Sequence, residues 1–256
     1  MINIIINGCG GRMGRAVIES AQDSGSFRIV AGVDINCARI GSTCSFPVYQ
    51  SISEFPGRAD AIIDFSNHAA LPALAEYAAE TSTPLVVATT GHTEEEKELM
   101  KKAAGKTAVF FSRNMSLGIN LLIEICKKAS ATLGTAFDIE IIEKHHNKKL
   151  DAPSGTALMI AEALRDVRRE TEFVYDRHLS HKAREHKEIG IHAVRGGSIV
   201  GEHEVIFAGK DEVLTFSHSA MSREIFAEGA LKAAAFIADK KSGLYNMSDL
   251  ISATLN

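Results

Sequence analysis

The sequence predicts an α/β protein in which a Rossmann-like, doubly wound parallel sheet is followed by a second α+β domain with an open mixed sheet. Three observations predict this fold. The first residues form a strand-like run, a glycine-rich loop and a helix-like run. Short β-type and helical segments then alternate through the first half of the chain. Near residue 115 this alternation gives way to a long helix and longer strands.

The first element is an apolar run at residues 1–7, followed by a glycine loop at 8–14 and a helical run at 15–21. Glycines permit a tight turn and the close approach of a pyrophosphate to the backbone. The glycine spacing is G-x-x-G-x-x-G, and Met13 stands where the stricter dinucleotide motif has its last glycine. Strand, loop and helix in this order favour a nucleotide site.

A second strand is predicted at 27–33 and is followed directly by Asp34. This acid comes twenty positions after Gly14, where a carboxylate can reach a ribose hydroxyl of a dinucleotide. The alternative is a glycine-rich turn that binds nothing, and Asp34 disfavours it.

Further short strands and helices follow, as in a parallel sheet. The second of these helices starts with a capping box at Thr93 and has Lys101 and Lys102 near its end, as the helix dipole favours. Loops after the strands gather at the carboxyl edge, where ligands bind. The strands are 61–65, 85–88 and 108–111, the helices are 71–80 and 94–104, and the loops are 64–68, 88–92 and 112–116.

The remaining segments predict the second domain and a helix that returns to the first. The alanine-rich run 223–239 is expected to pack on the first domain, and the highly charged segment 170–188 is expected to be a loop. The domains are therefore 1–115, a dinucleotide-binding domain completed by 223–256, and 116–222, a substrate-binding and oligomerisation domain. The other predicted elements are helices 117–132 and 156–169 and strands 137–143, 189–194, 203–208 and 212–219.

A dense cluster of cations follows the first strand of the second domain. Residues 143–149 contain two imidazoles and three ammonium groups, in a chain whose formal net charge is −4. Ser154 is a plausible N-cap, and Gly155 and Thr156 then offer backbone N–H groups at a helix start. Cations beside a helix N-terminus predict an anion site, most simply for a carboxylate or a phosphate. A solvated charged loop is the alternative for the cation run alone.

Imidazole suits proton transfer near neutral pH. Neighbours on an extended segment point to opposite sides, so we expect one of His145 and His146, and one of Lys148 and Lys149, to face the reacting centre. A metal held by both histidines is the competing hypothesis. Adjacent residues rarely chelate one ion, and no acid or thiol completes a set at ligand spacing, so we expect no metal.

Composition limits the other possible functions. Hydrophobic residues make up 45% and charged residues 23%, the mix of a soluble globular protein. No apolar stretch is long enough to span a bilayer, and no basic stripe with interleaved aromatics predicts nucleic-acid binding. The four cysteines lack metal-ligand spacing and are expected to be reduced thiols in a cytoplasmic protein.

Other functions were weighed on the same residues. No tyrosine has a lysine four positions later, which excludes a short-chain dehydrogenase. Cys9 and Cys126 have no nearby basic partner in the sequence, which disfavours a covalent thioester mechanism. A nucleotide-sensing regulator without turnover would not need His145 and Lys149 together. Another amino-acid-pathway dehydrogenase stays open on these residues.

The run from His145 to Thr156, H-H-N-K-K-L-D-A-P-S-G-T, is the most specific motif of the chain. With other segments spread nearly from end to end, it resembles the 4-hydroxy-tetrahydrodipicolinate reductase (dihydrodipicolinate reductase) family of the lysine and diaminopimelate pathway. The other matching segments are residues 8–14, 64–66, 89–91, 114–118, 195–203 and 242–245.

The resemblance implies roles for named residues. His145 would be the proton donor or acceptor and Lys149 the other catalytic acid, while His146, Gly155 and Thr156 would hold a substrate dicarboxylate. The reaction would be the reduction of a cyclic imine-type dicarboxylate, with loss of water, by NADH or NADPH in a homotetramer. The implied nucleotide contacts are Gly8, Cys9, Gly10, Gly11, Arg12, Met13, Asp34, Ala88, Thr89, Thr90, Ser112, Arg113, Asn114 and Met115.

Cofactor choice depends on the surroundings of Asp34. Its carboxylate can accept hydrogen bonds from both ribose hydroxyls but repels a 2′-phosphate. The next residue is Ile35, where the family often has a basic residue. Arg39 and Arg12 could swing in instead. We therefore expect dual use, with NADH at least as good as NADPH.

Overall fold

The computed structural model describes residues 1–178 and 180–254. Position 179, in the predicted loop 170–188, and the last two positions of the predicted segment 223–256 lie outside the described residues. The predicted fold class is confirmed, because a seven-stranded parallel sheet is accompanied by a five-stranded mixed sheet. None of the described helices is both long and apolar enough to cross a lipid bilayer.

The chain divides into two compact units. The first joins Met1–Leu117 to the segment that begins at Arg223, and the second is Gly118–Ser222. The first boundary thus falls two residues after the predicted position 115. Leu117 packs against the core of the first unit, which explains the difference.

The first helix, Arg12–Ser24, is longer at both ends than predicted. Every other predicted helix or strand begins and ends within two residues of the observed bounds. Five short elements were not predicted, namely the helices Cys37–Ile40 and Met247–Thr254 and the strands Val48–Tyr49, Glu172–Val174 and Gly243–Tyr245. Helices α1 to α8 span Arg12–Ser24, Cys37–Ile40, Leu71–Thr81, Glu94–Ala104, Leu117–Leu133, Gly155–Val167, Glu224–Ile237 and Met247–Thr254. Strands β1 to β12 span Ile2–Asn7, Phe27–Val33, Val48–Tyr49, Ala61–Asp64, Leu85–Val87, Ala108–Phe111, Asp138–His145, Glu172–Val174, Glu188–Arg195, Gly201–Ala208, Val213–Ala220 and Gly243–Tyr245.

The first unit is built around a seven-stranded sheet in the order β12-β6-β5-β4-β1-β2-β3, and all neighbouring strands are parallel. Side chains alternate between the faces of a strand, so Ile4 and Ile6 face one layer and Ile5 the other. Helices α1 and α7 cover the first face, and α3 and α4 cover the second. Burial on both faces explains why these strands are continuous apolar runs.

Helix α7 closes its face of the sheet with small side chains. Ala227, Ala230 and Ala234 have no exposed surface. A Cβ atom on Gly229 would lie 1.7 Å from the carbonyl oxygen of Met115, so only glycine allows this close approach. The C-terminal segment is therefore part of the core of the first unit.

The second unit has a five-stranded sheet in the order β11-β10-β7-β9-β8. Strand β10 is antiparallel to both of its neighbours, and the other pairs are parallel. One face packs on α5 and α6 and buries Ile139, Ile141, Val205 and Phe207. Both helices of the unit lie on this face, and the alternate side chains of each strand point to the other.

The segment 170–188 was predicted to be a loop, and this prediction is wrong in part. Its residues Glu172–Val174 form β8, which is parallel to β9. Arg184 and Arg177 donate to the carboxylate of Glu140 on β7, at 2.9 and 3.3 Å. The high charge of the segment suggested solvation, but several of its charges form ion pairs with the sheet.

Candidate active site

Strand β1 leads into the glycine loop at the start of α1. Gly8 has a φ of +79°, which favours glycine, and its N–H donates to the carbonyl of Val33 at 2.8 Å. A Cβ on Gly14 would lie 2.2 Å from the carbonyl oxygen of Gly8, so this position also requires glycine. Gly11 is the N-cap of α1 and supplies no side-chain cap, which leaves the first N–H groups of the helix for an anion.

Asp34 follows β2 and lines a cavity of about 650 Å³. Its carboxylate accepts backbone N–H bonds from Gly10 at 3.0 Å and from Asn36 at 2.9 Å, which ties the acid to the glycine loop. Ile35 and Arg39 line the same cavity. A glycine cradle, an uncapped helix start and an acid beside one cavity fit a dinucleotide.

A second group of predicted nucleotide contacts surrounds a smaller cavity of about 280 Å³. Met13, Ala88, Thr89 and Thr90 line this cavity together with residues 65–68. The loop 64–68 is predicted from the sequence to lie at the ligand-binding edge, but no nucleotide contact is predicted for it. The structure therefore brings these predicted residues together and adds a loop to them.

A buried polar network fixes that loop. Asn7 Nδ2 donates to Asp64 Oδ1 at 2.7 Å and to Ser66 Oγ at 2.8 Å. The N–H of Ser66 donates to the same oxygen of Asp64 at 3.1 Å. Asp64 has no exposed surface, and these bonds compensate for its burial in part, because its Oδ2 has no hydrogen-bond partner among the described residues. The signal in the sequence was the motif Asp-Phe-Ser, which begins at the last residue of β4.

The remaining predicted nucleotide contacts line neither cavity. Ser112 Oγ donates to the carbonyl of Asn114 at 2.7 Å, and Met115 is buried in the core of the first unit. Arg12 is exposed at the first position of α1, and Arg113 is exposed after β6. Their contacts with a cofactor stay predictions.

The two buried thiols are not nucleophiles. Burial, followed by the charge of Asp34, raises the pKa of Cys9 to about 12. Burial also raises the pKa of Cys126 to about 12. Both thiols are therefore protonated near neutral pH, which agrees with the absence of a thioester mechanism.

Strand β7 positions the candidate residues of the second unit. Alternation along the strand places Ile139, Ile141, Glu143 and His145 on the face that packs on α5 and α6. The two isoleucines belong to the core, whereas Glu143 and His145 lie at the carboxyl end. The strand runs two residues beyond its predicted end, because its ladder with β9 continues to the pair of His145 and Arg195.

Glu143 has no exposed surface and is bound by three residues. His145 Nδ1 lies 2.6 Å from its Oε2, while Arg195 Nη2 and the N–H of Ser154 donate to Oε1 at 2.7 and 2.9 Å. Burial alone would raise the pKa of this carboxyl, but the bonds from Arg195, His145 and Ser154 outweigh it and hold the pKa below its ordinary value. Sequence analysis gave neither Glu143 nor Arg195 a role, although both flank or lie in the matching motifs.

His145 is 9% exposed, and its ring centre lies 5.2 Å from that of His203, close to edge-to-face. Ser154 Oγ and His203 Nε2 are 3.1 Å apart. Burial and then the nearby His145 lower the pKa of His203 to about 3, so this ring is neutral. Of the two buried imidazoles, His145 is the one bound to a carboxylate.

The predicted cation cluster separates in the structure. Lys149 Nζ lies 2.9 Å from Asp151 Oδ1, whereas Lys148 is exposed. Lys144 points to the opposite face of the sheet and pairs with Glu202 at 3.0 Å. Lys144 is therefore separated from the rest of the cluster, because it belongs to the strand and points to the opposite face.

The carboxylate of Asp151 contacts the groups that were predicted to bind an anion. The ammonium of Lys149 is the main reason that the pKa of Asp151 lies below its ordinary value, and the N–H of Gly155 contributes to the same effect. His146 follows His145 on the chain, and its Nδ1 is buried without a partner among the described residues.

Helix α6 begins one residue earlier than predicted, at Gly155. Its N-cap is Ser154, as predicted, and the hydroxyl accepts the N–H of Ala157 at 3.1 Å. A Cβ on Gly155 would have no atom within 4 Å, so the helix start is open at this point. Gly155 and Thr156 thus form the first turn, next to Lys149.

Two family models match almost the whole chain, one described as "Dihydrodipicolinate reductase, N-terminus" at residues 2–115 and one as "Dihydrodipicolinate reductase, C-terminus" at residues 118–251. The chain belongs to the dihydrodipicolinate reductase family. The 4-hydroxy-tetrahydrodipicolinate reductase of Caldanaerobacter subterraneus subsp. tengcongensis is 53% identical to it over 98% of each chain. That of Clostridium tetani is 45% identical over 99% of this chain and 98% of its own.

Among solved structures, the dipicolinate-bound dihydrodipicolinate reductase from Paenisporosarcina sp. TG-14 aligns with a TM-score of 0.78. It covers 96% of this reductase and 97% of its own chain at 24% identity, so the likeness shows the fold. The family assignment makes the protein an oxidoreductase and confirms the resemblance read from the motifs. It does not favour a regulator without turnover or another amino-acid-pathway dehydrogenase.

Proposed function

We propose that this reductase converts 4-hydroxy-tetrahydrodipicolinate to tetrahydrodipicolinate, with NADH or NADPH, in the diaminopimelate route of lysine biosynthesis. The observation that carries the proposal is a buried, carboxylate-bound imidazole in the same unit as an ammonium and a helix N-terminus that contact a carboxylate. The imidazole is His145, and Lys149 and Gly155 contact the carboxylate of Asp151.

The cofactor supplies a hydride, so the protein has to bind the reactants and handle protons. The uncapped start of α1 and the glycine loop would hold the pyrophosphate, and Asp34 would accept hydrogen bonds from the ribose hydroxyls. The rest of the proposed contacts come from Met13, residues 88–90 and residues 112–115.

A dicarboxylate substrate requires cations and N–H donors. His146 would provide an imidazole, and Gly155 and Thr156 would provide the N-terminus of α6. The contact of Asp151 with Lys149 and Gly155 supports this role, because a carboxylate of the chain itself is stabilised there.

The reduction adds a hydride and a proton to the ring and releases water. Electron density that builds up on the ring nitrogen is neutralised best by an acid held nearby. His145 would donate and accept protons through Nε2, since its Nδ1 is bound to Glu143. Lys149 would be the second acid.

Turnover is measured by the loss of reduced-nicotinamide absorbance when the purified protein meets freshly generated 4-hydroxy-tetrahydrodipicolinate. We expect oxidation of NADH and NADPH that depends on this substrate. No oxidation of either cofactor, in a mixture where the Clostridium tetani reductase is active, would overturn the proposal.

We also propose that the protein is a homotetramer in the cytoplasm. The sheet face opposite α5 and α6 carries exposed apolar residues, since Val194 and Val213 are 44% and 61% exposed. Such a face favours association. Unpaired thiols at all four cysteines are consistent with a reducing compartment. Light scattering tests the assembly, and a single species near 27.6 kDa at micromolar concentration would reject it.

A further inference from the structure

Glu143 is a fully buried carboxylate whose hydrogen bonds all go to the surroundings of the proposed proton-transfer group. It accepts His145 Nδ1 at 2.6 Å, Arg195 Nη1 and Nη2 at 2.8 and 2.7 Å, and the N–H of Ser154 at 2.9 Å. One of these donors is the proposed acid, and another is the N-cap of the helix that would hold the substrate. A buried charge adds little to stability, because the loss of its hydration offsets the attraction to its partners. A role in the chemistry of His145 would account for the buried charge of Glu143.

We propose that Glu143 is a positioning residue for the reduction, which holds His145 with its proton on Nδ1 and Nε2 towards the substrate, and which fixes the start of α6 relative to that imidazole. This inference rests on the proposed function, because it assigns His145 the proton transfer.

The tautomer follows from the donor and acceptor inventory. An ionised carboxylate only accepts hydrogen bonds, so His145 Nδ1 must be the donor at 2.6 Å. In the neutral ring Nε2 then carries the lone pair, and in the cation it carries the second proton. Glu143 therefore decides which nitrogen exchanges protons.

The opposite edge of the ring is kept clear by a glycine. A Cβ on Gly201 would lie 3.0 Å from His145 Nε2, so any side chain at this position would press on the nitrogen. Strand β10 passes the imidazole here without covering it. Glu143 occupies Nδ1, and Gly201 has no side chain to block Nε2, so Nε2 is the nitrogen that can exchange a proton with the substrate.

The charges around the pair of Glu143 and His145 make a pH profile informative. Glu143 is the anion bound to the imidazole, and its removal changes the charge that faces the ring. Burial lowers the pKa of His203 on β10, whose ring centre lies 5.2 Å from that of His145, and the pKa of His218 on β11. Arg195 from β9 and Ser154, the N-cap of α6, contact Glu143 directly, and Arg195 also donates to the backbone carbonyl of Asp151. Lys149 and His218 lie close enough to His203 to affect its charge.

Glu140 offers a matched control on the same strand. It lies on the opposite face, where His192 Nε2 is 2.7 Å from its Oε2 and Arg184 Nε donates to its Oε1 at 2.9 Å. As for Glu143, burial would raise the pKa of this carboxyl, but Arg184 and His192 outweigh it and lower the pKa. Glu140 therefore has the same chemistry at a place without a proposed catalytic residue.

The test compares Glu143→Gln with Glu140→Gln by kcat, by KM for NADH and by the pH profile of kcat/KM. For Glu143→Gln we expect kcat to fall at least about tenfold, the pH profile of kcat/KM to differ from that of the wild type, and KM for NADH to stay unchanged. For Glu140→Gln all three stay as in the wild type. Wild-type kcat in Glu143→Gln, or the same pH profile in both variants, would overturn the proposal.

Two further variants keep the test decisive if Glu143→Gln does not fold. Glu143→Asp keeps the charge, so it should retain the wild-type pH profile although kcat is lower. Gly201→Ala places a methyl group against His145 Nε2 and should lower kcat without changing the pH profile of kcat/KM. A Gly201→Ala enzyme with wild-type kcat would contradict the assignment of Nε2. The proposed function is tested separately, by turnover of the wild type and its loss in His145→Gln. If the positioning role of Glu143 fails, the proposed function therefore still stands.

Discussion

The N-termini of α1 and α6 are both proposed to bind anions, but they are built differently. Helix α1 begins at Arg12, its N-cap Gly11 has no side chain, and the loop before it is shaped by glycines. Helix α6 begins after Ser154, whose hydroxyl accepts an N–H of the first turn, and it is flanked by Lys149 and the dyad of Glu143 and His145. The first site is defined by the backbone, and the second by charged side chains.

This difference teaches where each site is vulnerable. A site made of backbone N–H groups loses function when a Cβ is added, and it depends little on charge. A site made of buried charges loses function when a charge is removed, and it depends on pH. The predictions below test this contrast in order of expected effect.

The largest effect is expected from charge removal at α6. His145→Gln and Lys149→Ala should each lower kcat roughly 10²–10⁴-fold, the scale for general acid–base groups. KM for NADH should barely change, since neither residue lies in the unit of the glycine loop. Steady-state kinetics measure both constants, and the exposed neighbour Lys148 supplies the control variant Lys148→Ala. Near-wild-type turnover in either variant would mean that the role of that residue is wrongly assigned.

The next effect is expected from a Cβ at α1. Gly14→Ala places a methyl group 2.2 Å from the carbonyl oxygen of Gly8, and overpacking of this kind costs about 1–3 kcal/mol or more. Gly155→Ala at α6 meets no atom within 4 Å and should change the free energy of unfolding by less than about 1 kcal/mol. Urea unfolding of both variants measures the difference. If Gly14→Ala and Gly155→Ala lowered the free energy of unfolding equally, the proposed contrast between the starts of α1 and α6 would be wrong.

A smaller effect is expected from pH. The folded pKa of His203 is about 3 and its unfolded value is 6.5, so below pH 6.5 the unfolded chain binds a proton that the folded chain does not. This difference at His203 leaves stability unaffected above pH 6.5 and lowers it as the pH falls towards 3, at up to about 1.4 kcal/mol per pH unit. Unfolding free energies measured from about pH 7 to pH 5 should fall less steeply in His203→Gln. An unchanged slope in this variant would show that another group takes up the proton.

The smallest effect is expected from cofactor choice. NADH should be used at least as well as NADPH, because Asp34 repels a 2′-phosphate. A charge-assisted contact from Arg39 to that phosphate would act in the opposite direction and is worth about 1.5–3 kcal/mol. Arg39→Ala should lower kcat/KM for NADPH and leave that for NADH unchanged. The ratio of kcat/KM for the two cofactors decides it. A wild-type preference for NADPH would contradict this ranking, and a preference above about a hundredfold would also contradict the dual use of both cofactors.

Local features were predictable from the sequence because their partners are near in the chain. The capping box at Thr93 is present, with the side chains of Thr93 and Glu96 bonded to each other's backbone N–H. The Ser154 cap is present as well, three residues from its partner. The parallel sheet followed from short apolar strands alternating with helices.

Distant pairings were not predictable. Arg195 binds Glu143 across 52 positions, and Arg184 reaches Glu140 across 44. No sequence spacing shows that these charges meet, so Glu143 was read as the edge of a cation run and the segment 170–188 as a solvated loop. Strands β8 and β12 are also short, and each depends on a neighbour that only the folded sheet supplies.

The late position of α7 in the chain has a consequence for synthesis. The ribosome delivers residues 1–117 first, but the sheet face under α7 is apolar and is covered only when that helix has emerged. Gly118–Ser222 is continuous and is delivered in full before this happens. The nascent first unit therefore carries an uncovered apolar surface while the second unit is being made, and chains in this state bind chaperones or aggregate. We expect a chain that ends at residue 222 to bind chaperones or to aggregate, even if its second unit is folded.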